Sequence, residues 1–138
     1  MFSSELQLHL LESLSQKYYS AMKPFEKAKR IRIYISSTDK FEHKPLYEVI
    51  VYSARNFGIA GATVLKGIMG FGASSEIFSD KLWEMSEKIP LVVEMIDEPG
   101  KIEAYLESIK PLFENLGKGH LITVDETIII FHRSGIKK

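Results

Sequence analysis

Three short runs carry the residue types that could hold a ligand. Gly67-Ile68-Met69-Gly70-Phe71-Gly72 places three glycines in six positions. Glycine lets a backbone approach a ligand closely or take positive φ, and the exposed N–H groups of such a turn make a nest for anions. The same run also reads as a strand end with a bulge. Gly117-Lys118-Gly119-His120 is the second cluster; its plain reading is a helix C-cap followed by a turn. His132-Arg133-Ser134-Gly135 is the third. Arg133 has the forked guanidinium suited to phosphate oxygens, or it is a solvated edge residue. Two stacked βαβ halves would bring both glycine runs to comparable strand ends, which favours a shared ligand cleft. The first glycine run lacks the spacing of a Rossmann fingerprint and of a Walker A loop, which ends in Gly-Lys-Ser/Thr.

Other chemistries find less support. The chain has 0 cysteines, which removes disulfides, thiol nucleophiles and thiolate metal sites. His9, His43, His120 and His132 share no ligand spacing such as i, i+4, so no metal site built by one chain is expected. No Ser-His-Asp arrangement is readable. Asp97 and Glu98 stand at a helix start, where acidic residues favour the helix dipole. Glu94 is a carboxylate among apolar neighbours and reads as a paired core charge or as a ligand contact. The run from Lys66 to Gly72 has a faint likeness to an RNA-recognition strand, but Ala73-Ser74-Ser75 follow where stacking aromatics are needed.

The elements that must position these runs follow from periodicity. Residues 5–20 read as a helix, with Leu6, Leu10, Leu14 and Tyr18 recurring every four positions. Met22-Lys23-Pro24 breaks it, so residues 1–21 are expected to be a helical extension, either packed or upstream of the true reading frame, and 22–138 the main domain. Arg30 to Ile35 is β-branched and aromatic, a strand, which Ser36 to Asp39 ends. A helix runs from about Lys44 to Phe57. Pro45 suits its first turn, Leu46, Val49, Ile50, Ser53, Ala54 and Phe57 line one face, and Gly58 stops it. Gly61 to Phe71 is a second strand. Ala73 to Ile89 is a long loop, of a length that is usually functional or disordered. Pro90 to Ile96 is a third strand. Ile102, Tyr105, Leu106 and Ile109 form the core face of a second helix that Pro111 should kink or end. Two short strands, His120 to Val124 and Thr127 to Arg133, close the chain. The order is that of a split βαβ, a ferredoxin-like α+β sandwich. Its two helices cover one face of an antiparallel sheet, and an apolar opposite face calls for a homo-oligomer.

Composition bounds the rest. The chain has 138 residues, with 18 Lys+Arg against 18 Asp+Glu and a formal net charge of +0. That is one domain's length, and a neutral total argues against nucleic acid as partner. No apolar run approaches the ~20 residues of a membrane span, so no membrane insertion is expected. The absence of cysteine fits a reducing cytoplasm. Gln7, Gln16, Asn56 and Asn115 are the only labile amides, a scarcity seen in proteins from hot sources.

Several stretches resemble one family in order and at matching spacing. Leu46 to Val51, Ala54-Arg55-Asn56-Phe57-Gly58-Ile59-Ala60-Gly61-Ala62-Thr63-Val64, Gly67 to Gly72 and Ile89-Pro90-Leu91-Val92-Val93-Glu94 look like the PII-like proteins of domain-of-unknown-function family 190. The resemblance spans about Lys23 to Arg133. It implies a ferredoxin-like subunit, a homotrimer and an adenine nucleotide in the clefts between subunits. It also implies that Gly70, Phe71, Gly72 and Ala73 form the base of a long loop at the nucleotide, and that 73–89 is the segment that meets a partner, such as a membrane transporter or an enzyme. Where PII proteins carry Gly-Asp-Gly-Lys with the lysine on phosphates, this chain has Gly117, Lys118, Gly119 and His120. Where PII has Arg-x-Arg-Thr-Gly, it has Phe131-His132-Arg133-Ser134-Gly135. One phosphate cation has become histidine, mostly neutral near pH 7, and another has become Phe131; Arg133 survives. A triphosphate would be poorly neutralised, so AMP or ADP is expected over ATP. The loop has no tyrosine for the modification known in PII loops. Two other functions stay open: a small nucleotide hydrolase or transferase using Glu94 and His120, and a metal-tolerance trimer on the same fold.

Overall fold

A computed structural model describes residues 3–21, 26–72, 78–79, 88–117, 119–133 and 135. The elements are helix α1 (Ser4–Ala21), strand β1 (Glu26–Ser36), the two-residue strands β2 (Lys40–Phe41) and β3 (Lys44–Pro45), helix α2 (Leu46–Phe57), strands β4 (Ala62–Lys66), β5 (Met69–Gly70), β6 (Phe78–Ser79) and β7 (Pro90–Asp97), helix α3 (Pro99–Glu114) and strand β8 (Leu121–Ile129). The chain divides into two compact units, 28–127 and the pair of end segments 1–27 and 128–138.

Four strands make one antiparallel sheet in the order β4-β7-β1-β8. β1 pairs with β7 from Lys29 opposite Asp97 to Ser36 opposite Pro90, and β4 pairs with β7 from Ala62 opposite Met95 to Lys66 opposite Leu91. A strand's side chains alternate between faces. Accordingly Ile31, Ile33 and Ile35 of β1 and Leu91, Val93 and Met95 of β7 are buried on one face. They form a core with Leu46, Ile50 and Ala54 of α2 and Ile102, Tyr105 and Ile109 of α3. This is the ferredoxin-like sandwich that the alternation and the two amphipathic helices predict. The opposite face carries Arg30, Arg32, Tyr34, Leu65, Val92, Glu94, Leu121 and Asp125, and neither α2 nor α3 covers it.

Two latches set the helices. Tyr105 is wholly buried, and its hydroxyl reaches Ser53 Oγ at 2.7 Å and the Ile50 carbonyl at 3.1 Å, joining α3 to α2. Burial raises the Tyr105 phenol above its ordinary value, although the Ser53 contact opposes this. Asp97, at 8% exposure, accepts the amides of Ala60 and Glu98 at 2.9 and 2.8 Å and lies 3.3 Å from the Lys101 ammonium. Burial alone would raise this carboxyl, but the two amides and Lys101 outweigh it and hold it below its ordinary value.

Several local expectations are corrected. Helix α3 continues through Pro111 to Glu114. Loss of one backbone donor is outweighed because Leu112 and Phe113 pack on the core, and Asn115 closes the end with its amide on the Pro111 carbonyl at 3.2 Å. The last two strands are one strand, β8. Asp125, which reads as a turn, is instead held by both arms of the Arg30 guanidinium. Pro45 is the N-cap of α2 rather than a first-turn residue. It pairs with Lys40 in a hairpin whose turn residues, Glu42 and His43, both take positive φ of 48° and 69°. Gly58 does stop α2, with φ 97° and its amide on the Ala54 and Arg55 carbonyls. The second strand ends at Lys66, and Met69–Gly70 pairs separately with Phe78–Ser79, inside the stretch expected to be loop.

Candidate functional site

In an antiparallel sheet of this order, β4 and β1 end at the same edge where β7 and β8 begin. Both glycine runs of unit 28–127 therefore come to that edge. Three sets of hydrogen bonds join its loops. The Gly67 amide donates to the Pro90 carbonyl at 2.7 Å, and the Ser37 amide to the Ile89 carbonyl at 2.8 Å. In return the Ile89 amide donates to Ser37 Oγ at 2.9 Å. Asp39 finishes the frame: its Oδ2 accepts the Ser36 amide at 2.8 Å, and its carbonyl accepts the Leu46 amide at 2.8 Å.

The first glycine run follows from this frame. A Cβ on Gly67 would stand 3.0 Å from Pro90 Cγ and 3.2 Å from the Pro90 carbonyl oxygen, and one on Gly70 would touch the same ring at 3.4 Å. Glycine here permits close approach to Pro90, which turns the chain outward after β4. Ile68, Met69 and Phe71 are consequently exposed, Phe71 at 72%, and the space beside Gly72 is open. Ala73 lies outside the described residues.

The second run begins with Gly117 in the left-handed region at φ 64°, as a helix-ending glycine does. Lys118 lies outside the described residues and Gly119 is exposed. His120 turns inward. Its side chain is 5% exposed, with Nε2 3.4 Å from Asp39 Oδ2 and the ring edge-on to Phe113 at 5.6 Å. It thereby pins the second glycine run to the turn after β1.

Arg133 belongs to the unit of end segments. It is exposed, with its guanidinium carbon 5.8 Å above the Phe131 ring. Glu94 is paired with Arg32, whose Nε donates to its Oε2 at 2.9 Å on the open face of the sheet. His120 is tied to Asp39 instead, so the two groups an enzyme reading needs are engaged in different places. Among the described residues no cluster of His, Asp or Glu could hold a metal ion, and no helix is long and apolar enough to cross a membrane. Ser37, Asp39 and Pro90, which assemble the frame, escape sequence reading. Ser36 to Asp39 shows only as a strand terminator and Pro90 only as a permitted strand start.

The sandwich with its glycine turns at one sheet edge is the fold of PII-like proteins. One solved structure with this fold is CPII of Thiomonas intermedia K12, a nitrogen regulatory PII-like protein bound to ADP, AMP and bicarbonate. It superposes with a TM-score of 0.59 at 15% identity, over 78% of this chain and 92% of that one. The chain belongs to domain-of-unknown-function family 190, described as an uncharacterized ACR, whose profile matches residues 28–129. A UPF0166 protein of Aquifex aeolicus is 40% identical over 76% of this chain and 95% of its own length. Another, of Methanocaldococcus jannaschii, is 34% identical over 66% and 83%.

Proposed function

We propose that this is a PII-like regulatory protein that binds AMP or ADP in preference to ATP and passes its ligand state to a partner through residues 73–89. The observation that carries the reading is the convergence of the two glycine runs on one sheet edge, joined through Pro90, Ile89, Ser37 and Asp39. On that edge Gly70, Phe71, Gly72, Gly117, Gly119 and His120 are assigned to the nucleotide, and the resemblance to PII proteins adds Ala73, Lys118 and Arg133. The nucleotides in CPII support the ligand class. With His120 turned to Asp39, few cations are left for phosphates, which supports a ligand with few of them. The 73–89 segment follows directly on Phe71 and Gly72, so ordering of that turn by a nucleotide reaches it directly.

The open sheet face supports a homotrimer. Tyr34, Leu65 and Leu121 are exposed there beside the half-buried Arg32–Glu94 pair, and two further copies would cover them and complete each cleft. Light scattering at three times 15.7 kDa is the expected mass. Calorimetry with AMP, ADP and ATP tests the site: tightest binding by ATP overturns the preference, no binding overturns the site, and turnover of any nucleotide overturns the regulatory reading.

A further inference from the structure

Four charged side chains form one patch on the sheet face that neither α2 nor α3 covers. Arg30 and Arg32 belong to β1, whose neighbours in the sheet are β7 and β8. Glu94 of β7 lies directly across from Arg32, and the Arg32 Nε donates to its Oε2 at 2.9 Å. Asp125 of β8 takes both arms of the Arg30 guanidinium. Two cations are thus flanked by one carboxylate on each neighbouring strand. The Asp125 carboxyl is held below its ordinary value, by the Arg30 hydrogen bond first and by the charge of Arg32 besides. Arg30 is raised by Asp125 first, and the charge of Glu94 adds to this. The two pairs therefore act as one network of zero net charge. Its side chains are 26–47% exposed, and the uncharged Tyr34, Leu65, Val92 and Leu121 share their face. On a surface left in water such pairs contribute little. Burial changes this, because an ion dried without its counter-charge is strongly destabilising. A face whose charges are already neutralised within the chain can be covered without that loss.

We infer that the Arg30–Asp125 and Arg32–Glu94 network is what lets this face pack against further copies of the chain, and that Glu94 serves assembly rather than ligand binding. In this it rests on the multi-copy reading above. Charge complementarity selects the occupant. The network offers no surplus charge of either sign to a strongly acidic or basic partner, whereas the same neutral face on another copy meets it without an unpaired ion. The network needs no two-fold axis. Its charges are matched inside each chain, so it suits a ring in which each copy meets two neighbours.

Arg32→Leu, Glu94→Leu and the double variant test this in the full chain, each checked for wild-type circular dichroism. Light scattering over a dilution series reads the concentration at which the assembly half-dissociates. Each single variant strands one charge and is expected to raise that concentration by on the order of a hundredfold or more, and the double variant to return to within about tenfold of wild type. The wild-type assembly should also persist between ~0.05 and ~0.5 M sodium chloride, since a dried pair is screened little. Single variants that assemble as wild type does, or a double variant as dissociated as the singles, overturn the inference and leave the multi-copy reading standing. Steep dissociation by salt places the pairs in solvent and does the same. A single-copy mass for the wild-type chain overturns the multi-copy reading and this inference with it, and leaves the face to a partner of another kind. Should Glu94→Leu not fold, Glu94→Gln is measured in its place with the same expectation. Loss of the fold in both makes the pair a requirement of the single chain and overturns the proposal.

Discussion

Gly67 and Pro90 are locked backbone to backbone. The Gly67 amide donates to the Pro90 carbonyl at 2.7 Å, and there is no room between them for a side chain. This contact sets where β4 stops and where the chain turns out toward Phe71. Gly67→Ala is therefore expected to cost about 1–3 kcal/mol as an overpacked site, read as a fall in melting temperature. Gly72→Ala, beside open space, is the matched control and should change stability little. Equal losses at the two positions would sink the argument.

Asp97 gives the protein an acid limit. Its folded carboxyl lies below the ordinary 3.8, so its stabilisation is fully present above that value. It is lost as pH falls through the folded value, because the unfolded chain binds the proton first. Asp97→Ala should cost about 2 kcal/mol near neutrality, having stranded the Ala60 and Glu98 amides. The difference between wild type and variant should shrink in melts taken stepwise below pH 4. A difference that stays constant down to pH 2 would show that the carboxylate charge does not matter.

The β2–β3 hairpin turns on Glu42 and His43, both at positive φ. Such turns favour Asn-Gly, and each non-glycine residue held there adds strain. Glu42→Asn with His43→Gly should raise stability by about 1 kcal/mol, seen as a higher midpoint in urea with an unchanged slope. A lower midpoint would mean that the native side chains make contacts worth more than the strain.

Arg133 tests the cleft. Arg133→Gln should weaken ADP binding about tenfold, the loss of one charge-assisted contact, with an unchanged melting temperature because the side chain is exposed. The weakening should be smaller for AMP. Unaltered affinity for both nucleotides would remove Arg133 from the site.

Much of the fold is legible in the sequence because periodicity reports burial. The face from Leu46 to Phe57 and the alternation from Arg30 to Ile35 mark elements that a buried core requires, and Gly58 marks a stop only glycine makes cheaply. Pro111 and Asp125 mislead because their local preferences are overruled by partners distant in sequence: the core under Leu112 and Phe113, and the Arg30 guanidinium. The candidate site is less legible for the same reason. Its glycines show in the sequence, but the bonds that gather them, Gly67 to Pro90 and Ser37 to Ile89, join residues that no local pattern links. His120 reads as a mostly neutral stand-in for a phosphate-binding lysine and turns out to be packed, since nothing in Gly117 to His120 signals Asp39 as its neighbour.

Asp39 has a consequence for how this protein can vary. One residue serves the end of β1 through the Ser36 amide, the start of α2 through the Leu46 amide, and the second glycine turn through His120. It is a three-way junction. A substitution there takes the carboxylate from strand and turn together, while the bond to α2, made by the backbone carbonyl, stays, so the strand end and the glycine turn cannot be tuned apart through this position.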